Sequence, residues 1–146
     1  ILQQDKPDDY VIATGITTTI RDFIKMAAAE IGLEINFKGE GVNEIGVLRS
    51  IDEKLFIEKV GEKYLVDLRL KMKEGKSVVG VDPRYFRPTE VDLLIGDPTK
   101  SNTVLGWYPK YDLKALVADM MQSDVKLMKK ESYLKEGGYE IMNYFE

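Results

Sequence analysis

Short apolar runs alternate with a helical stripe in the first third of the chain. The run YVIAT at 10–14 is apolar and β-branched and is closed by a glycine, which predicts a buried strand. Apolar side chains then recur at helical spacing over 20–31, which predicts a helix with one face on a core. Threonines at 17–19 offer N-cap hydroxyls, and Gly32 stands where such a helix would end. The run LEINF at 33–37 predicts a second strand.

Polar and charged residues dominate the middle of the chain. The stretch KGEGVNEIG at 38–46 predicts a loop, because it is rich in glycine and polar residues. The segment 48–76 is highly charged and predicts little regular structure beyond a strand at 64–70, so we interpret it as an excursion from the core. A brief apolar run follows at 77–82, and VDLLIGD at 91–97 predicts an extended segment.

Two helices are predicted in the last third of the chain. Asp97 followed by Pro98 is typical of a helix start, with the aspartate as N-cap and the proline at the first helical position. This short helix would end at Gly106. Asp112 can cap the last and longest helix. The predicted apolar face of that helix comprises Leu113, Leu116, Val117, Met120, Leu127 and Met128. The alternation of strands and helices predicts an α/β or mixed α+β fold.

Length and charge narrow the class of protein. A chain of 146 residues with 44% apolar content fits one domain, 1–146. Its 21 basic and 25 acidic residues give a net charge of −4, and no basic run could follow a phosphate backbone, so we expect no nucleic-acid partner. No apolar run approaches the roughly 20 residues that span a bilayer, and the start lacks signal-peptide features, so we expect a cytoplasmic protein with no membrane partner. Because the chain begins with Ile1, we suspect a fragment.

Missing residue types and motifs exclude several kinds of site. Without cysteine or histidine the chain has no disulfide, no Ser-His-Asp triad and none of the usual zinc ligands. The acidic residues Asp8, Asp9, Glu40 and Glu44 lack the spacing of a calcium loop and are interpreted as solvated surface, so no metal site is predicted. The glycines complete no dinucleotide fingerprint, and no tyrosine is followed four residues later by lysine. We therefore predict neither a cofactor site nor catalytic residues in this chain.

The segment RYFRPTEVD at 84–92 carries the candidate chemistry. The guanidinium of Arg87 can grip a phosphate or pyrophosphate through two hydrogen bonds, and the carboxylate of Glu90 can accept two hydrogen bonds from a ribose diol. Pro88 stiffens the turn between them. A surface ion pair between Arg87 and Glu90 explains the same spacing, so the residues alone leave both interpretations open. No ligand role is predicted for the neighbours, of which the two aromatics are expected to pack: Arg84, Tyr85, Phe86 and Asp92.

Two long stretches give this motif a context. LQQDKPDDYVIATG at 2–15 and VDPRYFRPTEVDLLIGDPTKSNTVLGWYPKYDLKALVADMMQSDVKLMKK at 81–130 resemble the C-terminal part of the GDP-mannose 4,6-dehydratases, which are extended short-chain dehydrogenases/reductases. The resemblance implies a substrate-binding part whose Rossmann half is missing, with Arg87 on the pyrophosphate and Glu90 on the ribose of GDP-mannose. The sequence ITTT after ATG departs from the family's pattern, so no role is carried onto it.

The same resemblance implies what the parent protein does. The family's reaction is that of a lyase of GDP-fucose and deoxysugar biosynthesis, converting GDP-mannose to GDP-4-keto-6-deoxymannose and water, with NADP bound by the missing N-terminal half. We expect a homo-oligomeric parent, and a fragment that binds part of the substrate but is catalytically incomplete. The alternatives are a stand-alone nucleotide-sugar-binding or regulatory module without catalysis, and an interaction domain in which Arg87 and Glu90 pair on the surface.

Overall fold

A computed structural model describes residues 2–71, 76–87, 89 and 93–141, with Lys71 described by its backbone alone. Within these residues the chain forms five α-helices and three β-strands, which confirms the predicted mixture of helix and strand. A 3-10 turn, Gly41–Asn43, lies between the first two strands. In chain order the elements are α1 (Ile20–Glu30), β1 (Leu33–Lys38), β2 (Ile45–Ile51), α2 (Glu53–Lys59), α3 (Glu62–Lys71), β3 (Ser77–Gly80), α4 (Thr99–Leu105) and α5 (Leu113–Glu136).

The three strands form one antiparallel sheet in the order β1, β2, β3. The strand predicted at 33–37 is confirmed as β1. The loop predicted at 38–46 is wrong at both ends, because Lys38 ends β1 and the last two residues begin β2. A Cβ at Gly46 would lie 3.0 Å from Cγ2 of Ile35 and 3.1 Å from Cβ of Val79. A glycine at this position of the central strand therefore leaves room for the side chains of both neighbouring strands.

The strand predicted at 64–70 is wrong, because these residues belong to α3. Tyr64, Leu65 and Leu68 are less exposed than the residues around them. Side chains spaced three and four residues apart, such as Leu65 and Leu68 or Tyr64 and Leu68, share one face of a helix, whereas a strand would place alternate residues on one face. The position of the apolar residues within this charged segment therefore favours helix over strand.

The charged segment also supplies part of the core. Asp52 begins α2 by accepting a hydrogen bond from the backbone N–H of Leu55 at 3.1 Å. Phe56 follows within α2 and is buried. The segment 48–76, interpreted from the sequence as an excursion, thus contributes to the interior. The buried apolar side chains of the described chain are Ala28, Ile35, Val47, Leu48, Phe56, Leu65 and Val117.

The helix predicted over 20–31 is confirmed as α1, which packs against β1 and α5. The hydroxyl of Thr19 caps it by accepting a hydrogen bond from the backbone N–H of Asp22 at 3.1 Å. Gly32 lies just beyond the helix with a φ of 76°, a left-handed conformation that glycine adopts without strain. The N–H of Asp52 donates to the carbonyl of Gly32 at 2.7 Å, so the end of α1 adjoins the start of α2.

No strand forms at 10–14 in the described part of the chain, so the predicted buried strand is wrong. A strand needs a hydrogen-bonded neighbour, and the described strands pair only with one another. Residues 11–17 instead lie beside α4 and the residues before it: the hydroxyl of Thr17 donates to the carbonyl of Leu94 at 3.3 Å, and the buried hydroxyl of Ser101 in α4 donates to the carbonyl of Val11. Seven apolar side chains at 11–20 and 93–95 are 49–78% exposed, and we call these two stretches the exposed apolar segments: Val11, Ile12, Ile16, Ile20, Leu93, Leu94 and Ile95.

Aspartates lie at the starts of the last two helices. The predicted start of α4 is wrong by one residue, because Pro98 is the N-cap and Thr99 the first helical residue, although the carboxylate of Asp97 does accept a hydrogen bond from the N–H of Thr99 at 2.9 Å. Gly106 ends α4 with a φ of 63°. The carboxylate of Asp112 caps α5 by accepting from the N–H of Ala115 at 2.7 Å, which confirms the predicted start of the longest helix.

Only part of the predicted apolar face of α5 is covered. Val117 is 1% exposed and lies in the core. Other members of the face remain 37–50% exposed, namely Leu116, Met120, Leu127 and Met128. None of the helices in the described ranges combines the length and the apolar character needed to cross a membrane.

Candidate functional site

The candidate motif begins in a tight turn that Asp82 organises just after β3. The backbone N–H of Tyr85 donates to the carbonyl of Asp82 at 3.0 Å and closes the turn. The carboxylate of Asp82 also accepts from the backbone N–H of Arg84 at 2.9 Å. An aspartate that hydrogen-bonds the backbone two residues later is a common turn-forming arrangement, so the local sequence explains why the chain reverses here.

Arg84 completes this turn through its side chain. Its Nη2 lies 2.7 Å and its Nε 3.1 Å from Oδ2 of Asp82, and Nε lies 3.2 Å from Oδ1. These hydrogen bonds lower the pKa of the Asp82 carboxyl and raise the pKa of Arg84. The guanidinium also lies 5.6 Å from the centre of the Tyr85 ring, whose side chain is otherwise exposed. Arg84 therefore has a local structural role.

Phe86 packs on the turn between β1 and β2. A Cβ placed on Gly41 would lie 3.5 Å from Cζ and 3.8 Å from Cε2 of the Phe86 ring. The side chain is 39% exposed, against 78% for Tyr85. Of the two aromatics expected to pack, Phe86 does contact the rest of the fold, whereas the expectation for Tyr85 is wrong because its side chain stays exposed.

Arg87 follows directly, and its side chain is exposed. The other half of the predicted pair, Glu90, lies outside the described residues, as do Pro88 and Asp92. The distance between the Arg87 guanidinium and the Glu90 carboxylate is therefore not part of the described geometry, and their joint role stays a prediction from the sequence.

An ion pair that the sequence did not predict fixes the neighbouring turn. Arg21 of α1 pairs through Nε with the carboxylate of Glu44, whose side chain is only 16% exposed. The hydrogen bond that Arg21 donates to Glu44 raises the pKa of Arg21. The interpretation of Glu44 as solvated surface is therefore wrong. Its partner lies 23 residues away, beyond the reach of any local spacing pattern.

A second long-range pair ties the start of the chain to α4. Nζ of Lys100 lies 2.5 Å from Oδ1 of Asp8, and it also lies 5.1 Å from the centre of the Tyr10 ring. The hydrogen bond from Lys100 lowers the pKa of Asp8. The sequence predicts a short helix over the residues around Lys100 and solvated surface at Asp8, and no local pattern joins two residues so far apart in the chain.

A groove of about 970 Å³ lies elsewhere, between α5 and the ends of α1 and α2. Its lining combines acidic, basic and apolar side chains, including Glu30, Lys59, Leu116, Val125 and Lys129. None of the described residues that line it belongs to the candidate motif. Among the residues that the structure describes, no group of three or more acidic side chains is arranged to hold a metal ion.

Comparison with known proteins adds an independent observation. The sequence model of the family described as GDP-mannose 4,6 dehydratase matches residues 1–120, a range that includes both Arg87 and Glu90. A GDP-mannose 4,6-dehydratase of Yersinia enterocolitica is 39% identical over 141 residues, which are 97% of this chain and 34% of the relative. A GDP-mannose 4,6-dehydratase of Sinorhizobium fredii is 42% identical over 127 residues, 87% of this chain and 30% of the relative.

A eukaryotic relative shows a similar likeness. The GDP-mannose 4,6 dehydratase of Drosophila melanogaster is 42% identical over 132 residues, which are 89% of this chain and 27% of that protein. The chain thus spans about a third or less of the length of these curated relatives.

Proposed function

The chain belongs to the GDP-mannose 4,6-dehydratase family, and from this membership we propose that it forms the nucleotide-sugar-binding part of a dehydratase that acts on GDP-mannose. In the proposed reaction, GDP-mannose loses one water and becomes GDP-4-keto-6-deoxymannose. The observation that carries the proposal is the family match, which runs through the motif at 84–92. The remainder of a polypeptide of the relatives' length would supply the groups that break and form bonds.

Arg87 is the residue that we propose to bind the diphosphate. Its side chain is exposed and follows directly after the turn in which Asp82 holds the backbone of Arg84. The residue before it, Phe86, packs on Gly41. A guanidinium can donate two parallel hydrogen bonds to phosphate oxygens, with the added attraction of opposite charges. Glu90, three residues later, is proposed to accept hydrogen bonds from the ribose hydroxyls, and this role rests on the sequence and the family match.

The described residues do not fit a dinucleotide such as NADP. Dinucleotide sites form at the carboxyl ends of parallel strands, where a glycine-rich turn leads into a helix. Here the sheet is antiparallel, and no described strand precedes α1. The hydroxyl of Thr19 already accepts from an N–H in the first turn of α1, and Asp22 adds a negative charge there. We therefore propose that NADP binds to the part of a relative-length polypeptide that this chain does not include.

Replacing Arg87 tests the proposal. In a polypeptide of the relatives' length that contains this chain, Arg87→Ala removes a charge-assisted contact worth about 1.5 to 3 kcal/mol. Binding of GDP-mannose should weaken about 10- to 150-fold, as measured by calorimetric titration. Arg49→Ala is the matched control, because Arg49 lies in β2 and pairs with Glu34. Unchanged affinity of Arg87→Ala would remove Arg87 from the site.

A further inference from the structure

The ring of Phe86 links the proposed diphosphate-binding residue to a separate part of the fold. A Cβ built on Gly41, the first residue of the 3-10 turn, would lie 3.5 Å from Cζ of the ring, so the ring lies against this turn. Gly41 has a φ of 57°, a left-handed conformation that glycine adopts without strain. Phe86 is the residue immediately before Arg87, so this contact lies one residue from the backbone that carries the guanidinium.

The turn beneath the ring is itself held in place. The N–H of Glu44 donates to the carbonyl of Gly41 at 3.2 Å, and the N–H of Asn43 donates to the carbonyl of Glu40 at 3.1 Å. The largely covered carboxylate of Glu44 pairs with Arg21 of α1. The surface on which Phe86 packs is therefore joined to both the sheet and α1.

The chain is also fixed just before Phe86. The carbonyl and the carboxylate of Asp82 hold the backbone of Tyr85 and Arg84, as described above. Two anchors thus precede Arg87: the Asp82 turn and the Phe86 ring. A long side chain loses conformational freedom when it binds a ligand, and a pre-fixed backbone reduces what must be ordered at that moment.

We propose that Phe86 is a positioning residue whose ring, packed on Gly41, sets the direction from which Arg87 meets a diphosphate. This inference rests on the proposed function, because it presumes that Arg87 binds the substrate. Phe86 acts through Arg87 and does not itself touch the diphosphate. Its effect should therefore depend on the presence of the guanidinium.

Variants of Phe86 test this role in a polypeptide of the relatives' length that contains this chain. GDP is the calorimetric probe, and GDP-mannose is the kinetic substrate. Phe86→Ala should weaken GDP binding about 5- to 30-fold, the cost of ordering the backbone of about one further residue on binding. KM for GDP-mannose should rise while kcat changes by less than about two-fold, since the reacting groups are untouched. Phe86→Leu keeps an apolar contact with Gly41 and should recover part of the lost affinity. This second variant keeps the test valid even if the alanine variant unfolds the turn as a whole.

Two comparisons make the result decisive. Tyr85→Ala, in the same turn but far more exposed, should leave GDP affinity within about two-fold. In a double-mutant cycle, Phe86→Ala should add nothing to the loss caused by Arg87→Ala. Additive losses, or an equal loss from Tyr85→Ala, would overturn the positioning role. If Arg87→Ala alone has no effect, the proposed function fails; if it weakens binding and both Phe86 variants do not, only this inference fails.

Discussion

Arg84, three residues before Arg87, makes contacts that its sequence context does not reveal. Three side-chain hydrogen bonds join Arg84 to Asp82, although its side chain is 80% exposed. An exposed ion pair of this kind contributes little to overall stability. Its consequence is geometric, because it fixes the turn that leads to Arg87.

The titration of Asp82 should report this contact. Hydrogen bonds from the side chain and then the backbone of Arg84 lower the pKa of Asp82 below its ordinary value of 3.8. The folded turn therefore favours the ionised carboxylate, and its stabilisation is fully present above pH 3.8 and is lost as the pH falls through the lowered pKa. Arg84→Gln should raise the pKa of Asp82 toward 3.8, as measured by NMR titration of its carboxyl carbon.

A second carboxyl group provides the control for that titration. The pKa of Asp8 is lowered by a different partner, Lys100, and should stay low in Arg84→Gln. A titration of Asp82 that does not change in the variant would show that Arg84 does not hold the turn in solution.

At the scale of the elements, the junction between α1 and α2 depends on Gly32. Its φ of 76° is costly for other residues, and a Cβ there would lie 2.7 Å from the carbonyl oxygen of Asp52. Gly32→Ala should lower the free energy of unfolding by about 2 kcal/mol or more, as measured by urea denaturation. Gly80→Ala, where a Cβ would have no atom within 4 Å, should change it much less. Equal effects of the two substitutions would contradict this account.

Elements with local signals could be predicted from the sequence, and elements fixed by distant contacts could not. Helix α1 and helix α5 carry their own caps, Thr19 and Asp112, and an apolar stripe. By contrast, the start of β2 contains a glycine and polar neighbours that predict a loop. It is a strand because it pairs with β1 on one side and β3 on the other. The strand expected at 10–14 failed for the opposite reason, because its composition suits a sheet but the described chain gives it no neighbour.

The candidate site follows the same division. Arg87 and Glu90 could be chosen from residue chemistry and from resemblance, because both lie in one short motif. The ion pair of Arg21 with Glu44 and the contact of Phe86 with Gly41 could not, since each joins residues far apart in the chain.

At the scale of the whole molecule, the exposed apolar segments agree with a chain that spans about a third of its curated relatives. Apolar patches of this kind mark surfaces that pack against other protein. The sequence also contains no dinucleotide fingerprint and no Tyr-x-x-x-Lys pair. These observations support one prediction about the chain in isolation.

The isolated chain should form no GDP-4-keto-6-deoxymannose from GDP-mannose in the presence of NADP, as followed by chromatography of the nucleotide sugars. Calorimetry should likewise detect no GDP binding if, as proposed, the chain holds only part of the site. A polypeptide of the relatives' length is the positive control for both assays. Keto product from the pure chain would refute its catalytic incompleteness, and micromolar GDP binding without turnover would favour the stand-alone binding module.

The exposed apolar segments also make the protease sensitivity of residues 10–16 a measure of whether other protein covers them. No hydrogen bond between described backbone groups holds residues 10–16, and proteases prefer such accessible, unpaired backbone. If another part of a longer polypeptide covers these residues, they should be protected from proteolysis. The pattern of cleavage would therefore distinguish the covered state from the uncovered one before any substrate is added.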